Sequence, residues 1–318
     1  MERKGEQSKG TDVRRLRAFA GFAVMTVVLA GAVAAVYRER HSFALTIQRL
    51  GAWPLLFSLG SALFAQAAAG ATWIEVVKGL GVDLPWQAGI RVFFTTQLGK
   101  YVPGSVWPVL LQMEAGRAHG ARRRTMVAAN LITLAFGCGT GLFVAAALLP
   151  ASDAGALARY WWSLLFLPFL LVLLYPRTIP ALLDRLLALV HRPPLGERLA
   201  TRNALRACGY ALLTWPGLGG HLAVLCIALG QGSISTYLLC TGAMALAVSL
   251  GVLFIPAPAG AGIRDVALVF MLTTILSSGQ ALAIVVASRV LLTACDILLA
   301  AGSALVLRRA GPRSPQRQ

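Results

Sequence analysis

Long apolar runs without a single charge recur along this chain, and they constrain what it can fold into more than any other feature. Residues 19–37 and 127–149 each contain no Asp, Glu, Lys or Arg. Runs of 18 or more apolar residues mark membrane-spanning helices. At 318 residues, a requirement of about 20 residues per span plus loops gives one all-α polytopic bundle of about eight spans. The spans fall near 19–37, 53–73, 127–149, 160–175, 210–229, 234–255, 266–276 and 281–307. The first has a small-residue triplet, Ala32-Val33-Ala34, like a signal-peptide cleavage site, but its apolar core is too long for one and reads as an anchor.

Composition supports a membrane reading and excludes a soluble domain. The chain is 57% apolar and 13% charged, where soluble domains carry about 25% charge. The net charge of +17 invites a nucleic-acid partner, but the basic residues cluster at the ends of apolar runs. That is the positive-inside pattern, aided by attraction to anionic lipid. Arg38, Arg40, Arg49 and Arg159 fall on one side and Lys100, Arg264 and Arg289 at membrane depth, while the rest of the 29 basic residues fall on the other side. The expected layout is a basic cytoplasmic tail at 1–17, a single transmembrane domain at 18–307 with an amphipathic cytoplasmic loop at about 177–206, and a second basic cytoplasmic tail at 308–318. Both termini would face the cytoplasm of a bacterial inner (plasma) membrane.

Two apolar stretches are broken. Residues 95–108, TTQLGKYVPGSVWP, place Lys100 in apolar surroundings, break any helix at Pro103-Gly104, and offer Ser105 as a cap for a new helix opening with Val106, Trp107 and Pro108. Residues 86–113 therefore read as re-entrant. Residues 255–265, IPAPAGAGIRD, repeat the character with prolines, Gly260, Gly262, and then Arg264 and Asp265. A membrane protein keeps such features only where other helices shield them or where they line a cavity. A helix opening at mid-depth also points N–H groups and partial positive charge at its surroundings. One broken element in each half, each beside a cation, is the pattern of an inverted-repeat transporter with a midplane site.

The residues at membrane depth that can carry chemistry are Lys100, Arg264, Asp265, Arg289 and Asp296. Arg289 and Asp296 are one heptad apart, so they share a helix face about 10.5 Å apart along the axis. One reading is structural, with Arg289 paired to Asp265 or Asp296 to lock helices together. The other is a net-positive cavity, three cations against two carboxylates, suited to an anion. The candidate substrate-binding set is Lys100, Tyr101, Pro103, Gly104, Ser105, Trp107, Gly260, Gly262, Arg264, Asp265, Arg289 and Asp296. No catalytic, metal-binding or cofactor residues are assigned. The sequence has no G-x-S-x-G, H-E-x-x-H or Walker motif. Glu75, Asp83 and Glu114 read as loop carboxylates near the inner face. The five cysteines read as small buried apolar residues. His221, alone inside an apolar run, reads as a helix-packing donor.

QLGKYVPGSVWP at 97–108, the basic run at Arg122, Arg123 and Arg124, and PAPAGAGIRDVAL at 256–268 together resemble one family. It is the transmembrane region of lysylphosphatidylglycerol synthases and its stand-alone, flippase-like relatives. The resemblance covers about 51–307, and Arg289 looks like a family position. The second stretch departs at Pro256-Ala257-Pro258, where relatives more often show a glycine-rich run. The resemblance implies a bacterial inner-membrane protein related to domains that move aminoacylated or other anionic lipids between leaflets. It does not imply synthesis, which in the full-length enzymes belongs to a separate soluble C-terminal domain. This chain ends at Gln318, shortly after its last span, so the expectation is a chain without that domain.

The expected function is a flippase-like protein, not an enzyme, that moves or binds an anionic lipid or lipid-linked substrate. Its partners would be membrane lipids, without nucleic acid. The alternative is a membrane-embedded subunit or transferase in cell-envelope lipid or glycan synthesis, working beside an envelope-synthesis enzyme. A purely structural membrane protein is the third reading.

Overall fold

A computed structural model of the protein describes residues 37–38, 40–101, 107–165, 199–253 and 262–309, with isolated positions between 167 and 188. Ten α-helices and one 3-10 turn account for nearly all of it, and no strand occurs among the described residues. The helices are α1 (Arg40–Arg49), α2 (Ala52–Gly79), α3 (Trp86–Gln97), α4 (Trp107–Arg117) and α5 (Arg123–Leu148). They continue with α6 (Ala154–Leu164), α7 (Thr201–Ile227), α8 (Ile234–Leu253), α9 (Ile263–Leu272) and α10 (Ser278–Arg309). Helices α2, α5, α7, α8 and α10 are long and apolar enough to cross a membrane. The protein is an all-α membrane bundle, as its apolar runs imply.

Helix α7 is the central post, and its glycines set the packing distances. A Cβ on Gly217 would lie 2.9 Å from the Ala65 Cβ of α2, and one on Gly219 would lie 2.7 Å from the Thr241 Cα of α8. Hydrocarbon gives little drive for apolar helices to leave lipid for one another, so close backbone approach at small residues supplies the contact energy. Polar ties reinforce it. His221 of α7 is fully buried, with Nδ1 2.7 Å from Ser58 Oγ of α2 and Nε2 2.8 Å from Ser288 Oγ of α10. Trp215 donates from Nε1 to Thr140 Oγ1 of α5 at 2.9 Å. His221 thus does what its isolation in an apolar run suggests.

The bundle has two distinct ends. At one, the Ala200 N–H donates to Gly79 O at 3.0 Å, joining the end of α2 to the start of α7. Gly116 packs on Met126 there, and Lys78, Arg117, Arg122, Arg123, Arg124, Arg202 and Arg206 make it the basic end. The far end is formed by the turns before α6, α8 and α10. Each end has its own apolar core, with Trp73, Phe93, Met126 and Ile132 towards the basic end and Leu222, Met244, Leu268 and Ile284 in the other.

Several element boundaries differ from the sequence expectation. Glu75 is not a loop residue. Helix α2 runs on to Gly79, and Glu75 is 3% exposed, accepting from Asn203 Nδ2 at 2.7 Å with Arg206 Nη1 at 3.8 Å. A carboxylate can be buried here because α7 begins at Thr201, earlier than the apolar run at 210, and brings both partners to it. Residues 201–206 are therefore the foot of a spanning helix and not part of a surface loop. Helix α9 starts at Ile263, directly after Gly262 as a helix opening there requires, so Arg264 and Asp265 lie in its first turn. Residues 40–49 form a helix where only a charged connection was expected. Residues 1–36, which hold the 1–17 tail and nearly all of the 19–37 span, most of 166–175 in the 160–175 span, most of the 177–206 segment, and the 308–318 tail beyond Arg309 lie outside the described residues.

Candidate functional site

Both broken stretches end against α10. Helix α3 rises from the basic end, tightens into the 3-10 turn Leu98–Tyr101, and α4 packs against α3 and α5 on its return to the same end. Gly99 permits the crossing, since a Cβ there would meet the backbone of Trp107 and Pro108 at 3.1–3.2 Å. Residues 86–101 and 107–117 form helical pieces that turn back on each other, as a re-entrant element requires, while the break expected at Pro103-Gly104 lies outside the described residues. The second element is α9. Its 10 residues rise about 15 Å, half of a hydrocarbon core about 30 Å thick. Arg264 in its first turn lies beside Met244, midway along the 20-residue α8. Helix α9 is thus a half-helix running from mid-depth to the far end. It opens at Gly262, whose φ of 93° is a conformation that glycine adopts without a Cβ clash.

The tip of the first element delivers a cation to a carboxylate on α10. Lys100 Nζ lies 2.7 Å from Asp296 Oδ2. Tyr101 OH donates to the same oxygen at 2.6 Å, and Gln66 Nε2 donates to Oδ1 at 2.8 Å. Tyr101 OH also lies 3.3 Å from Thr293 Oγ1. Asp296 is 5% exposed, so three donors from two other elements hold one buried carboxylate. The second element reverses the signs by delivering a carboxylate to a cation on α10. Arg289 donates from Nε to Asp265 Oδ1 at 2.7 Å and from Nη2 to Oδ2 at 3.0 Å, a bidentate pair. Asp265 Oδ2 also accepts the Gly262 N–H at 3.1 Å. The N–H of the N-cap residue Gly262 is therefore held by the Asp265 side chain from within the first turn of α9.

Arg264 remains. Its Nε is buried with no hydrogen-bond partner among the described residues, and its Nη2 is 4.0 Å from Met244 Sδ, a weak acceptor. It lies within electrostatic reach of Arg289, Asp265 and Asp296. With Lys100 set against Asp296 and Arg289 against Asp265, the third cation has no carboxylate of its own among the described residues, and these five side chains carry formal charge +1. Two ion pairs thus lock the broken elements to α10, with Arg264 beside them.

Of the candidate residues, Lys100, Tyr101, Arg264, Asp265, Arg289 and Asp296 converge around α10. Gly262 opens α9, and Trp107 opens α4, half-exposed. Pro103, Gly104, Ser105 and Gly260 lie outside the described residues. Sequence reasoning missed Gln66, Thr293 and Met244. Gln66 carried a signal, because it is the one amide in the 53–73 apolar run.

Residues 18–300 match the family model described as the lysylphosphatidylglycerol synthase TM region. The chain belongs to that family. The match begins at residue 18, upstream of the 51–307 over which the motifs carried the resemblance, and it takes in both ion pairs and Arg264. No curated protein matches the chain. A protein of the lysylphosphatidylglycerol synthase TM region family is an integral membrane protein, consistent with five membrane-competent helices.

Proposed function

We propose that this protein binds an anionic lipid headgroup at mid-depth and lets it pass between leaflets, with the acyl tails remaining in the bilayer. The observation that carries the reading is Arg264, a cation whose Nε is buried and unpartnered among the described residues. An uncompensated charge at membrane depth is expensive, and an anion that supplies a charge-assisted hydrogen bond offsets that cost. Lys100 and Arg289 would steer the same anion, each at the expense of its present carboxylate. Exchange of carboxylate for headgroup changes the net charge little, so the step need not carry a large electrostatic barrier.

On the positive-inside rule, the basic end faces the cytoplasm of a bacterial inner membrane, which places the far end outside. This reading is of a transporter and not an enzyme. Its test is transbilayer movement in proteoliposomes with headgroup-labelled phosphatidylglycerol and phosphatidylcholine. Wild-type protein should move the anionic lipid faster. Arg264→Gln should lose that movement and Arg264→Lys should keep part of it, a point charge replacing a fork, with all three folded by thermal melting. Equal movement by wild type and Arg264→Gln overturns the reading. A folded wild type that moves neither lipid favours a subunit that serves an envelope-synthesis enzyme.

A further inference from the structure

Two cysteines meet between α7 and α8 towards the far end. Cys226 Sγ lies 3.8 Å from Cys240 Sγ, and both residues are fully buried. Cys138, Cys208 and Cys295 make no such approach to another cysteine among the described residues.

The turn joining the two helices sets this distance. Cys226 is the last residue but one of α7, and its carbonyl accepts the Leu229 N–H at 3.0 Å and the Gln231 N–H at 3.2 Å. Gly230, at a φ of 90°, reverses the chain there. Ser233 Oγ accepts the Thr236 N–H at 3.0 Å at the start of α8. Both sides of the turn are thus fixed by hydrogen bonds. Helical side chains tilt towards the N-terminus of their helix. Because α7 runs outward and α8 returns, the Cys226 thiol leans inward and the Cys240 thiol leans outward, each towards the other. A disulfide about 2.05 Å long needs each sulfur to move about 0.9 Å, the scale of a turn about its Cα–Cβ bond.

We propose that Cys226 and Cys240 form a structural disulfide that staples the α7–α8 hairpin. The oxidant is a disulfide donor of the oxidising compartment outside the membrane, so the proposal rests on the orientation given above, with the far end outside. One cysteine, as thiolate, attacks the donor disulfide, forms a mixed disulfide and expels one donor thiolate. The second cysteine attacks the sulfur of the first, which forms the Cys226–Cys240 bond and expels the other donor thiolate. The chain gives up two electrons and two protons, and the donor leaves as a dithiol. Exchange takes place before α7 and α8 pack, because the packed sulfurs are closed to a protein donor. The same burial then shields the finished bond from reductants.

The test counts thiols in the full chain. Cells are lysed directly into denaturant with N-ethylmaleimide, and the protein is then reduced and treated with a polyethylene-glycol maleimide. Two of the five cysteines should take the second label, and none should in Cys226→Ala or in Cys240→Ala. Peptide mapping of unreduced wild type should return the peptides of Cys226 and Cys240 joined. Reduction should lower the melting temperature of wild type and leave that of Cys226→Ala unchanged. No second label in wild type overturns the proposal, as does a second label in either variant or a joined pair other than Cys226 and Cys240. Orientation is read separately with Gly232→Cys, in the turn where a Cβ meets nothing within 4 Å, in a chain lacking Cys226 and Cys240. Labelling of intact cells by an impermeant maleimide places the far end outside, so five free thiols in wild type would then refute the disulfide alone. Failure to label Gly232→Cys refutes the orientation and removes the oxidant with it.

Discussion

The pair formed by Lys100 and Asp296 should respond asymmetrically to removal of either partner. At 2.7 Å and an effective dielectric of about 20, the attraction is about 6 kcal/mol before desolvation is subtracted. Desolvation takes back most of it, so the informative quantity is the cost of stranding one charge. The Asp296 side chain is 5% exposed and that of Lys100 is 28% exposed. Lys100→Met strands the more buried charge and should destabilise by about 2–4 kcal/mol, somewhat below the usual cost of breaking a buried pair because Gln66 and Tyr101 still donate to Asp296. Asp296→Asn strands the better-solvated ammonium and should cost about 1–2 kcal/mol. The double variant removes both charges and should cost less than the sum of the singles. Thermal unfolding in one detergent, followed by intrinsic fluorescence, gives the order of the melting temperatures. If Asp296→Asn is the more damaging single change, or if the double variant is additive, the ion pair is not what holds the first broken element to α10.

Other parts of the structure make separate predictions. Gly219→Ala should lower the melting temperature, because its Cβ would sit 2.7 Å from the Thr241 Cα and backbone has little room to move, a cost of about 1–3 kcal/mol. Gly137→Ala meets nothing within 4 Å and should raise stability by about 0.5–1 kcal/mol through helix propensity, which makes it the control in the same melting assay. His221→Ala should cost about 1–2 kcal/mol for each tie lost to Ser58 and Ser288. A charge-specific transport defect exceeding that stability loss would show that His221 does more than pack helices. Glu75→Gln should keep the Asn203 hydrogen bond and lose the Arg206 attraction, costing less than Glu75→Ala in thermal melts.

The sequence made the charged side of the site legible and left its neutral side hidden. Lys100, Arg264, Asp265, Arg289 and Asp296 stand out because a charge in an apolar run demands a reason, and the heptad spacing on α10 put Arg289 and Asp296 on one face. Which carboxylate serves Arg289 was not legible, since α9 brings Asp265 to it through tertiary packing that no local spacing encodes. Gln66 and Thr293 carry no charge and look like ordinary small polar residues in Ala-rich helices, yet both meet the cluster around Asp296. Glu75 was misplaced for the opposite reason. A charge near the end of an apolar run resembles a loop residue until the foot of α7 supplies Asn203 and Arg206. The helix start at Thr201 was also missed, because arginines in a first turn look like the end of a span when hydropathy alone sets the boundary.

Lipid retention is the most direct measure of the surplus cation. Native mass spectrometry of the purified protein, exchanged into a mixture of phosphatidylglycerol and phosphatidylcholine, counts the lipids each variant keeps. Wild type should retain phosphatidylglycerol in preference to phosphatidylcholine, and Arg264→Gln should lose that preference. Equal retention of both lipids by wild type, or an unchanged preference in Arg264→Gln, contradicts an anion site at Arg264.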